Sequence, residues 1–234
     1  KMVMSGEGAD EIFGGYLYFH RAPSPEAFHE ETVRKTLRLH QYDVMRANKA
    51  PMACGLEVRV PFLDRALVDL AMGTDPRDRA PRAVGDGHAI EKSLLREAFD
   101  DAGDAWLPRD VLWRQKEQFS DGVGYGWVDA IRDRADALYA PELRATAPQR
   151  FPGNTPCNAE MMWMRELFEA RFVRGRASGR SALRTVGSGR SIACSTPEAV
   201  SWDPTWDRLA GDISGRAIAG VHASGQALRD ASVP

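Results

Sequence analysis

The chain has 234 residues, 43% hydrophobic and 27% charged, and its 31 basic and 33 acidic side chains give a formal net charge of -2. Such a composition is typical of a globular protein, and it lacks the strong basic charge that nucleic-acid binding requires. No stretch reaches about 18 consecutive apolar residues, so no membrane span is predicted. We therefore expect neither nucleic acid nor a membrane as a partner.

The first predicted elements are a buried strand over Met2–Met4 and a single helical turn over Ala9–Phe13, which Gly14 and Gly15 stop. The polar loop Ser5–Gly8 joins them. In open α/β sheets, ligands bind where a strand feeds such a loop and a helix N-terminus. The start of the chain therefore predicts a ligand site, and the apolar run that begins at Lys1 predicts a fragment of a longer protein.

Helical patterns dominate the following residues. Ser24 and Pro25 predict the start of a helix over Glu26–His40, with charged pairs four residues apart and an apolar face that includes Val33 and Leu37. Three further helices are predicted over Gln41–Ala53, Ile90–Phe99 and Gly126–Tyr139. Another is capped by Asp64 and runs through Leu67, Leu70 and Ala71. The last is capped by Asn158, with Met164, Phe168 and Phe172 stacked on one face.

Leu56–Asp64 alternates apolar and charged residues, which predicts an extended segment with an ion pair between Glu57 and Arg59. The character of the chain changes after residue 172. Residues 173–234 are predicted to be a flexible, Arg/Gly/Ser-rich tail, with an anion-binding arm as the alternative and a docking segment near Trp202 and Trp206.

The three cysteines (Cys54, Cys157 and Cys194) lie far apart and fit neither a disulfide framework nor a thiolate zinc site. They predict a reducing, cytoplasmic setting.

Carboxylates are concentrated around the first loop. Glu7 lies between glycines, where a substrate can approach closely and a carboxylate could act as a general base. Asp10 could bind Mg²⁺, which usually takes one or two carboxylates plus phosphate oxygens. The alternative is an acidic helix N-terminus that only offsets the helix dipole. Lys116, just before a flexible Gly-x-Gly, could stabilise a phosphate or an oxyanion, although such a lysine also suits a surface loop.

Three stretches together resemble the synthetase domain of the glutamine-hydrolysing asparagine synthetases. They are Ser5–Tyr16 (SGEGADEIFGGY), Val58–Asp64 (VRVPFLD) and Trp113–Gln118 (WRQKEQ). The likeness runs over nearly the whole chain and includes Arg46–Lys49 (RANK). It implies an α/β, adenine-nucleotide alpha-hydrolase-like (ATP-pyrophosphatase) domain. Residues 1–172 would be its C-terminal portion, mostly helical with one N-terminal sheet strand.

The resemblance also implies a reaction. In that family the side-chain carboxylate of L-aspartate attacks the α-phosphate of Mg-ATP, pyrophosphate leaves, and β-aspartyl-AMP forms. Ammonia, derived from glutamine in a separate N-terminal domain, then displaces AMP. ATP and Mg²⁺ are thus the implied cofactors, and L-aspartate, ATP and ammonia the implied substrates. The sequence leaves open whether the protein is a homodimer.

The same resemblance assigns roles to individual residues. Ser5 and Gly6 would contact ATP, and Asp10 would be the magnesium ligand. Catalysis would fall to Glu7 and Lys116, with Asp43 as a further acidic residue near Glu7.

Two departures from the family pattern matter. The chain has neither the N-terminal glutaminase cysteine nor the Ser-Gly-Gly-x-Asp-Ser loop that binds pyrophosphate. We therefore expect the 234 residues alone to bind ATP poorly and to make no asparagine. Two alternatives stay open: a related amide-forming enzyme such as a β-lactam synthetase, which would be expected to have tyrosine at the position of Glu7, and an inactive truncated module.

Overall fold

The structure is a computed structural model that describes residues 1–84, 88–101, 103, 106–114, 116, 127–153, 155–172 and 201–202. These residues fall into two units: 1–116 together with 201–202, and 127–172. The first unit contains, in chain order, β1 (Met2–Met4), α1 (Ala9–Ile12), α2 (Pro25–Arg38), α3 (Asp43–Ala53), β2 (Glu57–Arg59), α4 (Arg65–Gly73), α5 (Pro76–Arg79), β3 (Arg82–Val84), β4 (His88–Ile90), α6 (Ser93–Glu97) and α7 (Arg109–Leu112). The second contains α8 (Trp127–Leu138), α9 (Pro141–Arg144), α10 (Ala147–Arg150) and α11 (Ala159–Phe172).

β1 and β2 form a parallel pair in which Val3 lies opposite Val58. The Ser5 N–H donates to the Arg59 carbonyl oxygen at 2.9 Å, so the pairing continues into the first residue of the loop. The prediction of a buried β1 was wrong, because Met2 is 59% exposed. A strand of a parallel sheet is buried when other strands and helices cover it, and within the described residues β1 has only β2 as a neighbour.

The prediction of a single sheet strand was also wrong, because the first unit holds a second sheet, the antiparallel pair of β3 and β4. β4 ends at Ile90, where a helix was predicted to begin. The helix there, α6, is shorter than predicted and starts after Lys92, whose φ of 56° places it in the left-handed region. The predicted extended segment is confirmed for Glu57–Arg59, whereas Pro61–Leu63 forms a 3₁₀ helix. The predicted ion pair is present on an exposed surface, with Arg59 Nη2 2.9 Å from Glu57 Oε1.

α2 follows its predicted bounds closely, and the Ala27 N–H donates to the Ser24 Oγ at its start. Its buried face differs from the prediction, because Leu37 is 71% exposed whereas Lys35 is buried. Glu31 is also buried and pairs with Arg34, three residues on, with 2.7 Å between Oε2 and Nε. The Tyr18 hydroxyl also donates to Glu31 Oε1. This hydrogen bond and the Arg34 cation compensate for the burial of the Glu31 carboxylate.

An aromatic core cluster forms between α2 and the 3₁₀ helix Leu17–Arg21. It consists of the buried residues Leu17, Tyr18, Phe19 and Phe28, against which the partly buried Trp202 packs. Trp206, the other tryptophan predicted to dock, lies outside the described residues, as do 173–200 and 203–234. The division into a domain over 1–172 and a tail over 173–234 therefore stays a prediction.

Gly14 is required by both its backbone and its neighbours. Its φ is +64°, and a Cβ there would lie 2.6 Å from the Phe28 ring. Gly55, with a φ of +71°, has nothing within 4 Å of the same position and is a matched control. We expect Gly55→Ala to lower the free energy of unfolding by ~1–2 kcal/mol and Gly14→Ala to cost a further ~1–3 kcal/mol from overpacking. Urea unfolding of the two variants checks this, and equal losses would contradict it.

The second unit is built on α8 and α11. Asn158 caps α11 as predicted, since its Oδ1 accepts the Met161 N–H at 2.8 Å. The predicted apolar face of α11 was wrong at Met164, which is 47% exposed, whereas Met162 and Arg165 are buried. The Phe172 side chain, also predicted on that face, lies outside the described part of the chain. Arg165 donates to Glu169 and to the Gly153 carbonyl oxygen, so its charge is paired inside the unit. No helix among the described residues is long and apolar enough to cross a membrane.

Candidate active site

The loop that follows β1 is shaped by its glycines. Gly8 has a φ of +96°, and a Cβ there would lie 2.4 Å from the Leu63 Cδ2, so the loop packs closely on the segment after β2. Gly6 has nothing within 4 Å of the equivalent position and is exposed, which leaves its surroundings open to a ligand. Ser5 and Gly6, both predicted to contact ATP, therefore lie at the carboxyl end of a parallel strand.

Two lysine ammonium groups contact the carboxylate of Asp10, which lies on α1. Lys92 Nζ lies 2.9 Å from Oδ1 and Lys116 Nζ lies 3.5 Å from Oδ2. Burial opposes the ionisation of Asp10, but these two lysines outweigh it and lower its pKa. Gly15 makes room for this arrangement, because a Cβ on Gly15 would lie 1.9 Å from the Asp10 Oδ1. The carboxylate is thus ionised and held in a fixed place.

Glu7 is partly buried, and charges of both signs act on it. Burial is the main cause that raises its pKa, and the negative charges of Asp43 and Asp10 add to it. Arg46 and Lys116 act in the opposite direction. A carboxyl group with a raised pKa holds a proton more strongly than an ordinary one, and this is the property that a general base at neutral pH needs.

Glu11 and Asp43 share one phenol. The Tyr16 hydroxyl lies 2.5 Å from Glu11 Oε1 and 3.2 Å from Asp43 Oδ2, and it carries a single hydrogen for the two carboxyl groups. Asp43 also accepts a hydrogen bond from Arg46 Nη2 at 2.5 Å. The buried Lys35 covers the Tyr16 ring, with its Nζ 4.3 Å from the ring centroid. Glu11 is thus a buried acid beside the site, 1% exposed.

Burial raises the pKa of Glu11 from 4.5 to about 7, although the Tyr16 hydrogen bond opposes the shift. A raised pKa stabilises the fold below pH 4.5, and this contribution is lost as the pH rises through about 7. The loss amounts to roughly 3 kcal/mol. We expect Glu11→Gln to remove this dependence, so that urea unfolding of the variant and the wild type diverges between about pH 4.5 and about pH 8. In Tyr16→Phe the decline should move to higher pH, whereas parallel profiles for Glu11→Gln and the wild type would contradict the prediction.

The structure brings together the side chains of Glu7, Asp10, Asp43 and Lys116, which the sequence predicted as one site. The Gly-x-Gly segment after Lys116 lies outside the described residues. The predictions gave no part to a second group of residues around these four: Glu11, Tyr16, His20, Lys35, Arg46, Glu91 and Lys92. Glu11 could have been found from its place in the acidic turn, but nothing in the local sequence marks Glu91 or Lys92.

The donor set at Asp10 can be compared with what Mg²⁺ requires. Mg²⁺ binds one or two carboxylates and takes its other ligands from water and phosphate. Asp10 offers an ionised carboxylate that is 27% exposed, which suits that mode of binding. Among the described residues no group of three His, Cys, Asp or Glu side chains could hold a metal ion. Asp10 therefore suits a metal ion that takes its other ligands from the phosphate oxygens of a bound ligand.

Taken together, the features describe an α/β protein with a cluster of carboxylates and lysines at the end of a parallel strand. Sequence comparison identifies its family. The profile described as Asparagine synthase matches residues 1–26 and 21–182. The chain is 52% identical over 222 residues to the glutamine-hydrolyzing asparagine synthetase of Triphysaria versicolor. The aligned region covers 95% of this chain and 36% of that protein. It is 50% identical over 224 residues to asparagine synthetase 3 of Arabidopsis thaliana, covering 96% of this chain and 37% of that protein.

The chain belongs to the asparagine synthase family. It spans a little over a third of the length of these curated relatives, 36% and 37% of the two proteins. The family resemblance that the three sequence motifs predicted is thereby confirmed.

Proposed function

We propose that this chain is part of the synthetase domain of an enzyme that makes L-asparagine from L-aspartate, ATP and ammonia derived from glutamine. The observation that carries the proposal is the cluster of Glu7, Asp10 and Lys116 at the end of β1, in a chain about half identical to glutamine-hydrolyzing asparagine synthetases. The domain would have the ATP-pyrophosphatase fold, and the protein would be cytoplasmic. A separate glutaminase domain would supply the ammonia.

The reaction has two chemical steps. A carboxylate oxygen of aspartate attacks the α-phosphate of ATP, and the bond to pyrophosphate breaks, which gives β-aspartyl-AMP. The nitrogen of ammonia then attacks the activated carbonyl carbon, AMP leaves, and the surplus proton must go to a base. Both steps develop negative charge on oxygen, and a fixed cation stabilises that charge.

The residues of this chain can meet these demands. Glu7, whose pKa is raised, would accept the proton of the attacking ammonia. Lys116 would stabilise the charge that develops on the acyl and phosphoryl oxygens, and Asp43 would tune Glu7 through its negative charge. Ser5 and Gly6 would line the ATP site. Asp10 would hold Mg²⁺, which would neutralise charge on the leaving pyrophosphate when bound.

The test uses the full-length protein. Pyrophosphate release from Mg-ATP is followed with ammonia present, with and without L-aspartate, and asparagine is measured at the end. The proposal expects release that depends on aspartate and matches the asparagine formed. Release without dependence on aspartate would indicate a different acyl substrate. No release from a folded protein would contradict an enzymatic role.

A further inference from the structure

Lys116 is held from two directions. Its side chain reaches Asp10, with Nζ 3.5 Å from Oδ2. Its backbone N–H donates to Glu91 Oε1 at 3.0 Å. Glu91 is 25 residues away in the chain, between β4 and α6, and the residue is 2% exposed. A buried carboxylate that accepts a backbone N–H fixes the position of the main chain at that residue.

Glu91 is itself held firmly. His20 Nε2 lies 3.7 Å from Glu91 Oε2, which is too far for a hydrogen bond. The buried Arg96 donates from Nε to the Glu91 carbonyl oxygen at 2.8 Å and from Nη1 to the Leu112 carbonyl oxygen. Leu112 ends α7, four residues before Lys116. The main chain on both sides of the Glu91–Lys116 contact is therefore tied by one guanidinium group.

The next residue supplies a second contact to the same site. Lys92 has a φ of 56°, and it is the one non-glycine residue with a positive φ in the described part of the chain. A non-glycine residue in that region is strained, and it persists only where its surroundings fix it. With this left-handed backbone, the Lys92 ammonium contacts Asp10. The preceding residue, Glu91, accepts the Lys116 backbone N–H.

We propose that Glu91 is a positioning residue for Lys116: by accepting the Lys116 N–H, its buried carboxylate holds the Lys116 ammonium beside Asp10. The inference rests on the proposed function for its effect on the reaction. The contact of Glu91 is with the Lys116 main chain, so Glu91 acts through Lys116. Small displacements of a catalytic group can cost up to ~10²-fold in rate, and loss of the Glu91 acceptor permits such displacements of Lys116.

The experiment first compares three single variants of the full-length protein. Glu91→Ala removes the acceptor, and Glu91→Gln keeps a carbonyl oxygen that can accept the same N–H. Glu31→Ala is the matched control, because Glu31 is another buried carboxylate, 4% exposed, that accepts a hydrogen bond from Tyr18 at 2.9 Å. Hydrogen exchange of the Lys116 amide is measured by mass spectrometry, together with kcat for aspartate-dependent pyrophosphate release and KM for ATP.

We expect faster exchange at Lys116 and at least a ~10-fold loss of kcat in Glu91→Ala, with KM for ATP changing less. Glu91→Gln should restore most of both, and Glu31→Ala should leave the Lys116 amide unchanged. In a Lys116→Met background, Glu91→Ala should cost little more, because the two residues act as one unit. Unchanged exchange in Glu91→Ala, or an equal loss of kcat in the Lys116→Met background, would overturn the proposal.

The two readouts separate this inference from the proposed function. A wild-type protein without aspartate-dependent release would contradict the proposed function. Hydrogen exchange of the Lys116 amide does not depend on catalysis. Faster exchange in Glu91→Ala would therefore support the positioning role even without measurable activity, and unchanged exchange would refute it.

Discussion

In the full-length protein, Glu7→Gln is expected to lower the rate of asparagine formation from aspartate, ATP and ammonia by ~10²–10⁴-fold, the range that a general base contributes. The amide of glutamine has nearly the same shape as the carboxyl group but cannot accept the proton that the attacking ammonia releases. Partial burial of Glu7 and the carboxylates of Asp43 and Asp10 raise its pKa, which suits it to this role.

The measurement is a pH profile of kcat for wild type and Glu7→Gln, with asparagine as the product counted. Because the base must be ionised, the wild-type rate should rise with pH through the raised pKa of Glu7. Asp43→Asn removes a negative charge that raises this pKa, so its profile should move to lower pH. Glu57→Gln, at an exposed ion pair, is the control and should keep the wild-type rate. A Glu7→Gln enzyme with the wild-type profile would contradict the assignment.

Lys116→Met should reduce kcat by ~10²–10³-fold, the loss that follows removal of one group that stabilises an oxyanion. Lys92→Met is the informative comparison, because both lysines contact the same carboxylate. Lys92 makes a direct hydrogen bond to Asp10 at 2.9 Å. Lys116 lies 3.5 Å from the same carboxylate, and its charge also acts on Glu7, whose pKa it lowers. Because its charge acts on both Asp10 and the proposed base, Lys116 should be the catalytic cation and Lys92 the one that holds Asp10.

Steady-state kinetics distinguish the two roles. Loss of an interaction made in the transition state lowers kcat and kcat/KM together, whereas loss of ground-state binding raises KM. We expect Lys116→Met to show the first pattern and Lys92→Met a smaller loss of kcat. Equal losses in the two variants would show that the lysines are equivalent and would contradict the distinction.

Several parts of the site could be predicted because they are local in sequence. The loop Ser5–Gly8 and the turn that carries Asp10 follow from a strand, glycines and an acidic helix start within about ten residues. The meeting of Asp10 with Lys116 is different, since no spacing rule joins positions so far apart. The family resemblance supplied that pair, whereas the contact of Glu91 with the Lys116 backbone had no motif to mark it.

The buried faces of the long helices were predicted less well. Leu37 and Met164 are exposed, whereas Lys35 and Arg165 are buried. A hydrophobicity pattern counts a lysine or an arginine as a surface residue, because the pattern does not see its partners. In the folded chain Lys35 covers the Tyr16 ring and Arg165 pairs with Glu169. A charged side chain that finds such partners can be buried at moderate cost.

The crowding at Gly15 has a consequence for protein engineering. Replacing a glycine next to a short helix with alanine is a common way to stabilise a protein. At position 15 the added methyl group would occupy the volume of the Asp10 Oδ1, and the Asp10 Cα is only 2.9 Å away, so the turn itself would have to open. The Asp10 carboxylate therefore fits only because residue 15 has no side chain, and a search for thermostable variants should leave position 15 as glycine.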